Sequence, residues 1–173
     1  RMHSERKALV KLLKKHAPQM LDSMQPEHED HLRAGRLYAA AGKARAATKS
    51  FARCERLSPG HLAAAHTAVD AVPTKAHAER LLNAVDSAGE VILANGRFQL
   101  EPMGSPPVSL DTVLASLERA AASVPALADR CRRERERLDD QRAAIVAGEQ
   151  AANARLQSAL DSLQPKHDYY QYG

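Results

Sequence analysis

Residues 28–60 read HEDHLRAGRLYAAAGKARAATKSFARCERLSPG. Two helix patterns lie in this stretch, over 28–41 and 44–57, with Gly42 between them and Ser58-Pro59-Gly60 at the end. Gly35 and Ala47 carry almost no side chain, so they predict a close approach of the two helices. Tyr38 and Phe51 are placed to fill the gap on the packing face. Gly42 permits the backbone to reverse, because glycine enters positive φ without a Cβ clash. The stretch therefore predicts an antiparallel helical hairpin.

Gly35, Tyr38, Gly42, Ala47, Phe51 and Pro59 stand where a tetratricopeptide repeat places its small, aromatic, turn and terminating residues. Residues 28–59 thus resemble one such repeat. The departures are His31 at a usual Trp, Ala34 at a usual Leu and Cys54 at a usual Ala. Microtubule-interacting-and-trafficking domains have a similar hairpin. The resemblance implies a protein-binding module. One repeat cannot bury its own apolar face, so neighbouring helices must cover it.

Working outward, His61 to Val72 and Thr74 to about Ala88 have helix spacing, with Pro73 between them and Gly89 as terminator. Val91 to Leu100 changes character, since Asn95-Gly96 separates two short apolar runs. Two readings fit: a β-hairpin needing a helix or strand beside it, or a helix end followed by loop. Glu101 to Val108, rich in Pro and Gly, reads as a stiff linker and domain boundary.

Ser109 to Leu163 reads as a long helix, with Pro125 tolerated where a new helix opens. Every seventh residue from Leu110 (Leu117, Val124, Cys131, Leu138, Ile145, Ala152, Ala159) keeps a coiled-coil-like seam. The series from Leu114 is apolar only at its ends, because Arg135, Arg142 and Glu149 interrupt it. A two-helix contact, a homo-oligomer or a return onto the N-terminal helices would each satisfy this pattern. Pro165 is expected to stop the helix before a tail, 165–173, which reads either as a disordered end or as a docking peptide whose Tyr169, Tyr170 and Tyr172 fill pockets on a neighbour. The resulting fold class is all-α: tetratricopeptide-like hairpins over 1–100, a linker over 101–108 and a long helical arm over 109–164.

Composition supports an interaction protein. Of 173 residues only 3% are aromatic, none of them Trp, which leaves little to stack on bases or sugars. Net charge is +4, yet residues 1–59 hold 13 Lys/Arg against 6 Asp/Glu, and the remainder 12 against 15. A basic N-terminal half suits an acidic partner surface. On the first repeat helix and its turn, Arg33, Arg36 and Lys43 are the candidate contacts for an acidic peptide or helix. Lys7, Lys11, Lys14 and Lys15 project from one side of an N-terminal helix, opposite Leu9, Leu12 and Leu13, as candidate contacts for phosphates or another acidic surface. Nucleic acid is the less favoured partner, because acidic residues are interleaved through the Arg130–Arg137 run.

No Gly-rich phosphate loop, acid/base pair or metal spacing is recognisable, so no enzyme, cofactor or metal is expected. His28 and His31 sit one helical turn apart beside Glu27, Glu29 and Asp30, and read as exposed helix histidines. Cys54 and Cys131 form no disulfide framework, which fits a reducing, cytoplasmic setting. No apolar run approaches membrane-span length, and the basic start lacks the apolar core of a secretory signal. The function expected is a non-enzymatic interaction scaffold or adaptor. The alternative is a structural subunit of a large cytoskeletal or ribonucleoprotein assembly.

Overall fold

The computed structural model describes residues 5, 7–9, 11, 12, 15 and 27–172, with side chains as far as residue 163. The fold is mainly helical, with one small antiparallel sheet. Helix α1 (His28–Ala40) starts where the Asp30 carboxylate accepts from the Glu27 N–H at 3.0 Å. It ends in a Schellman turn, with the Lys43 N–H donating to the Tyr38 carbonyl at 2.8 Å and Gly42 at φ 75°. Helix α2 (Ala44–Leu57) returns against it. A Cβ on Gly35 would lie 2.5 Å from Cε1 of Phe51, so glycine is required for the ring to seat.

Helices α3 (Leu62–Ala71) and α4 (Lys75–Ala88) form the next pair. His61 caps α3, its Nδ1 accepting from the Ala64 N–H at 3.1 Å, and Thr74 caps α4 through the His77 N–H at 3.3 Å. The 91–100 segment is a β-hairpin. Strand β1 (Ile92–Ala94) pairs with β2 (Arg97–Leu100) across Asn95 and Gly96, both at positive φ, the two-residue turn that suits strand twist.

The segment 101–108 is not a domain boundary. The chain turns back, and β3 (Val108–Ser109) pairs with β2, setting Leu100 opposite Val108. Both residues are buried in the largest apolar cluster, which contains Leu62, Leu81, Leu82 and Val85 from one side of the segment and Val113, Leu117 and Leu138 from the other. The short sheet could not stand in water alone, and that shared core is what supports it.

The 109–163 segment is two helices rather than one. Helix α5 (Leu110–Ser123) stops at Val124, and a single 3-10 turn over Pro125–Leu127 leads into α6 (Ala128–Tyr172). Proline has no N–H to continue the ladder, so here it marks a reversal. Glu118 meets Arg135 at 3.7 Å and Asp111 meets Arg142 at 3.2 Å, opposite orders along the two helices, so the pair is antiparallel. The return onto the N-terminal helices is therefore the arrangement formed. Leu110, Leu117, Cys131 and Leu138 of the sevenfold seam are consumed inside the chain, so only its far end is left to serve a homo-oligomer.

Helix α6 has 45 residues, about 68 Å at the rise of an α-helix. From Val146 to Leu163 every residue is exposed, including Leu156 (60%), Leu160 (52%) and Leu163 (59%). The backbone stays helical through Pro165 to Tyr172, contrary to the expected stop. At that position the ring forfeits one N–H bond without ending the helix. Among the described residues, no helix is long and apolar enough to cross a membrane.

Candidate functional site

The first hairpin packs inward through a small cluster, Ala47, Phe51 and Ala68, edged by Leu32, Tyr38, Ala39 and Val72. Its outward side is basic. On α2, Arg45, Lys49, Arg53 and Arg56 are exposed at i, i+4, i+8 and i+11. That spacing puts them on one face, opposite the buried Ala47, Ser50, Phe51 and Cys54. The row spans about 16 Å along the helix.

Of the sequence candidates, Arg33 and Arg36 are exposed on α1, one turn apart. Arg36 turns toward α3 and donates from Nη2 to Oγ1 of Thr67 at 3.2 Å. Lys43 lies beyond the helix end, where Gly42, Lys43, Arg45 and Lys49 line a shallow depression. Sequence reading missed the α2 row, although four cations spaced by helical turns opposite a small-residue packing face were the signal for it. Lys7, Lys11 and Lys15 are helical and exposed. Lys14 and the side chains of Tyr169, Tyr170 and Tyr172 lie outside the described residues.

Among the described residues, none of the seven cations Arg33, Arg36, Lys43, Arg45, Lys49, Arg53 and Arg56 has a carboxylate within 4.0 Å. Two of the hairpin's acids are occupied: Asp30 caps α1, and Glu55 accepts from the Gly60 N–H at 3.3 Å. No carboxylate in the first turn of α2 answers its dipole, and Lys43 and Arg45 instead put positive charge at the positive end of the helix. The free chain therefore carries unrelieved like-charge repulsion there.

The histidines are not the exposed side chains expected. His31 is 6% and His61 3% exposed, and His77 is fully buried. His28 faces His61 rather than His31, with ring centroids 5.0 Å apart. The His77 ring meets Phe51 edge-on at 5.8 Å and donates from Nδ1 to the Val72 carbonyl at 2.7 Å. Burial holds His31, His61, His66 and His77 below the ordinary imidazole range. The thiol of Cys54 is pushed up to about 11 by burial and the Glu55 charge, and burial raises Cys131 as well. Protonated, buried thiols make poor nucleophiles.

Behind the hairpin, Asp70 on α3 accepts from Oγ of Ser116 at 2.7 Å and pairs with Arg119, both on α5. His66 Nδ1 stands 3.6 Å from its other oxygen. This network fastens α3 to α5 and positions the surface on which the hairpin rests.

No protein-family model matches the chain, and neither the curated proteins nor the solved structures give a match. The site is therefore read from its own geometry.

Proposed function

We propose that this chain is a non-enzymatic protein–protein interaction module, whose first hairpin binds an acidic segment of another protein. The observation that carries the reading is the set of seven exposed cations without carboxylate partners on α1, α2 and their turn. The α2 row and Lys43 make the primary contact, with Arg33 and Arg36 at its margin. Cations one helical turn apart match carboxylates one turn apart on an acidic helix or peptide. In this reading the hairpin serves the binding role that its resemblance to tetratricopeptide repeats implies, and the exposed end of α6 reaches a second partner. Two free buried thiols, Cys54 and Cys131, suit a reducing, cytoplasmic location.

The test is a titration of the full chain with a fluorescent Glu-rich peptide at low and high salt. Exposed charge pairs contribute about 0.2–1 kcal/mol each, so Arg45→Ser/Lys49→Ser/Arg53→Ser should weaken binding by about threefold to 150-fold. Raised salt should do the same. Unchanged binding by the triple variant sinks the reading. Preference for RNA over the peptide, lost on replacing Lys7, Lys11 and Lys15, transfers the role to a ribonucleoprotein subunit.

A further inference from the structure

The first hairpin meets the rest of the described fold almost entirely through α3. Among the described residues, the apolar part of that join is thin, with Ala47, Phe51 and Ala68 its buried members. Two buried imidazoles flank it: His61 faces His28 of α1, and His77 meets Phe51 of α2.

We propose that this junction is an acid-released latch. His61 and His77 hold it closed as neutral rings, and their protonation frees residues 28–57 as a unit while the α3–α6 core stays folded.

Each ring is committed to its neutral form by geometry. His77 spends its Nδ1 proton on the Val72 carbonyl, and its Nε2 is buried without a partner. A proton on Nε2 would be an unsatisfied charge in the first turn of α4, where the helix dipole is also positive. The carbonyls of Val72 and Ala68 favour that charge and Arg80 opposes it. His61 must keep a lone pair on Nδ1 to cap α3 through the Ala64 N–H. Protonation turns that acceptor into a donor aimed at a donor. His28 on the hairpin side and His66 on α3 oppose the added charge, while Glu29 and the His61 backbone favour it. His31 lies within the hairpin rather than in the junction, where Arg53 and Arg56 of α2 oppose its charge and Asp30 on its own helix favours it. His66 moves in the same direction, since burial outweighs the Asp70 carboxylate beside it and Arg36 opposes the cation as well.

The sign follows. These rings bind protons more weakly in the closed state than in the open one, so closing is favoured at neutral pH. That preference is lost progressively as pH falls below the ordinary imidazole value of about 6.5. Because His61 and His77 both belong to the same contact, they act on the same opening step.

The two buried thiols make the experiment selective. Cys54 sits on α2 behind the latch and Cys131 in the large core, each fully buried. The full chain is labelled with 4,4′-dithiodipyridine, which reacts in mild acid, at about pH 7.5 and about pH 5, on either side of the imidazole range. The ratio of the Cys54 rate to the Cys131 rate cancels most of the thiol's own pH dependence. One ring whose proton affinity differs tenfold between open and closed states changes the opening equilibrium by up to about tenfold. The ratio should therefore rise by about tenfold or more on acidification.

His61→Asn/His77→Asn removes two titrations while keeping the hydrogen bonds: asparagine is a favoured N-cap, and its amide N–H can reach the Val72 carbonyl. The rise should shrink to a minor fraction in this variant. A variant ratio that rises as much as in the parent overturns the proposal. So does a parent in which both thiols open in parallel, or neither does. Should the variant show an open Cys54 already at neutral pH, hydrogen exchange on the unaltered chain decides. Faster opening confined to 28–57, after correction for intrinsic rates, supports the latch; equal loss of protection across 62–138 overturns it.

Discussion

The molecule contains two antiparallel helical hairpins rich in arginine, and they use the same side chain in opposite ways. In the α5–α6 hairpin four arginines are answered from other elements or along the helix, Arg119 by Asp70, Arg130 by Asp86, Arg135 by Glu118 and Arg142 by Asp111 and Asp139. In α1–α2, among the described residues, no Lys or Arg has a carboxylate within 4.0 Å. Four of the answering carboxylates on α3, α4 and α5 stand elsewhere in the chain, and their pairs tie α5 and α6 to each other and to the core. A basic helix is thus a fastening in one place and an exposed charged face in the other. The difference lies in where the acids are, which arginine content alone does not report.

The two regions also differ in how they are held. The C-terminal hairpin shares one large apolar cluster with α3, α4 and the sheet, while the first hairpin rests on a cluster of three buried residues flanked by His61 and His77. Leu117→Ala should give the largest effect, about 2–5 kcal/mol for a fully buried leucine. Denaturant unfolding followed at helix CD should show a single transition displaced as a whole, because Leu117 belongs to the core common to both sides of residues 101–108. Survival of an undisturbed N-terminal transition would restore a domain boundary there.

Gly35→Val should cost about 1–3 kcal/mol by overpacking against Phe51. Its damage should stay local, with hydrogen exchange accelerated in 28–57 and Cys131 still protected. Loss of protection at Cys131 would show that the two regions are more tightly coupled than their contacts imply. Arg45→Ser/Lys49→Ser/Arg53→Ser should change stability by no more than about 0.5 kcal/mol per substitution, the usual bound for surface positions, while weakening acidic-peptide binding. A marked drop in melting temperature would mean that the row has partners within the fold. The smallest effect belongs to Arg135→Ser. Its pair with Glu118 is solvent-exposed, so about 0.2–1 kcal/mol is expected, measurable as a double-mutant cycle with Glu118→Gln. A zero coupling energy would leave apolar packing and the Arg142–Asp111 pair as the ties between α5 and α6.

Particular residues explain what was legible in advance. Gly35, Gly42, Phe51 and Asn95-Gly96 act within a hairpin, through φ preference and steric reach over a few residues, so their spacing was sufficient. The seam through Leu117, Cys131 and Leu138 was legible as apolar, but a sevenfold pattern does not say whether its partner is another chain or the same one. Pro125 was legible as a helix start and misread in consequence, since proline at the first turn is compatible both with continuation and with a reversal. The α2 cation row was visible as spacing, but its lack of carboxylate neighbours was not.

By itself, then, the sequence determined the local architecture of this protein: the helices, their caps, the first hairpin and the two-residue β-turn. Those depend on backbone preferences and on contacts across about one helical hairpin. Only the tertiary structure decided that 101–108 is a strand-forming return inside one core, that Leu110–Leu138 is spent internally, and that the histidines near the first hairpin are buried. It also decided which cations remain free. Burial and charge pairing depend on residues such as Asp70 and Arg119, 49 positions apart, and proximity at that separation is set by the packed fold.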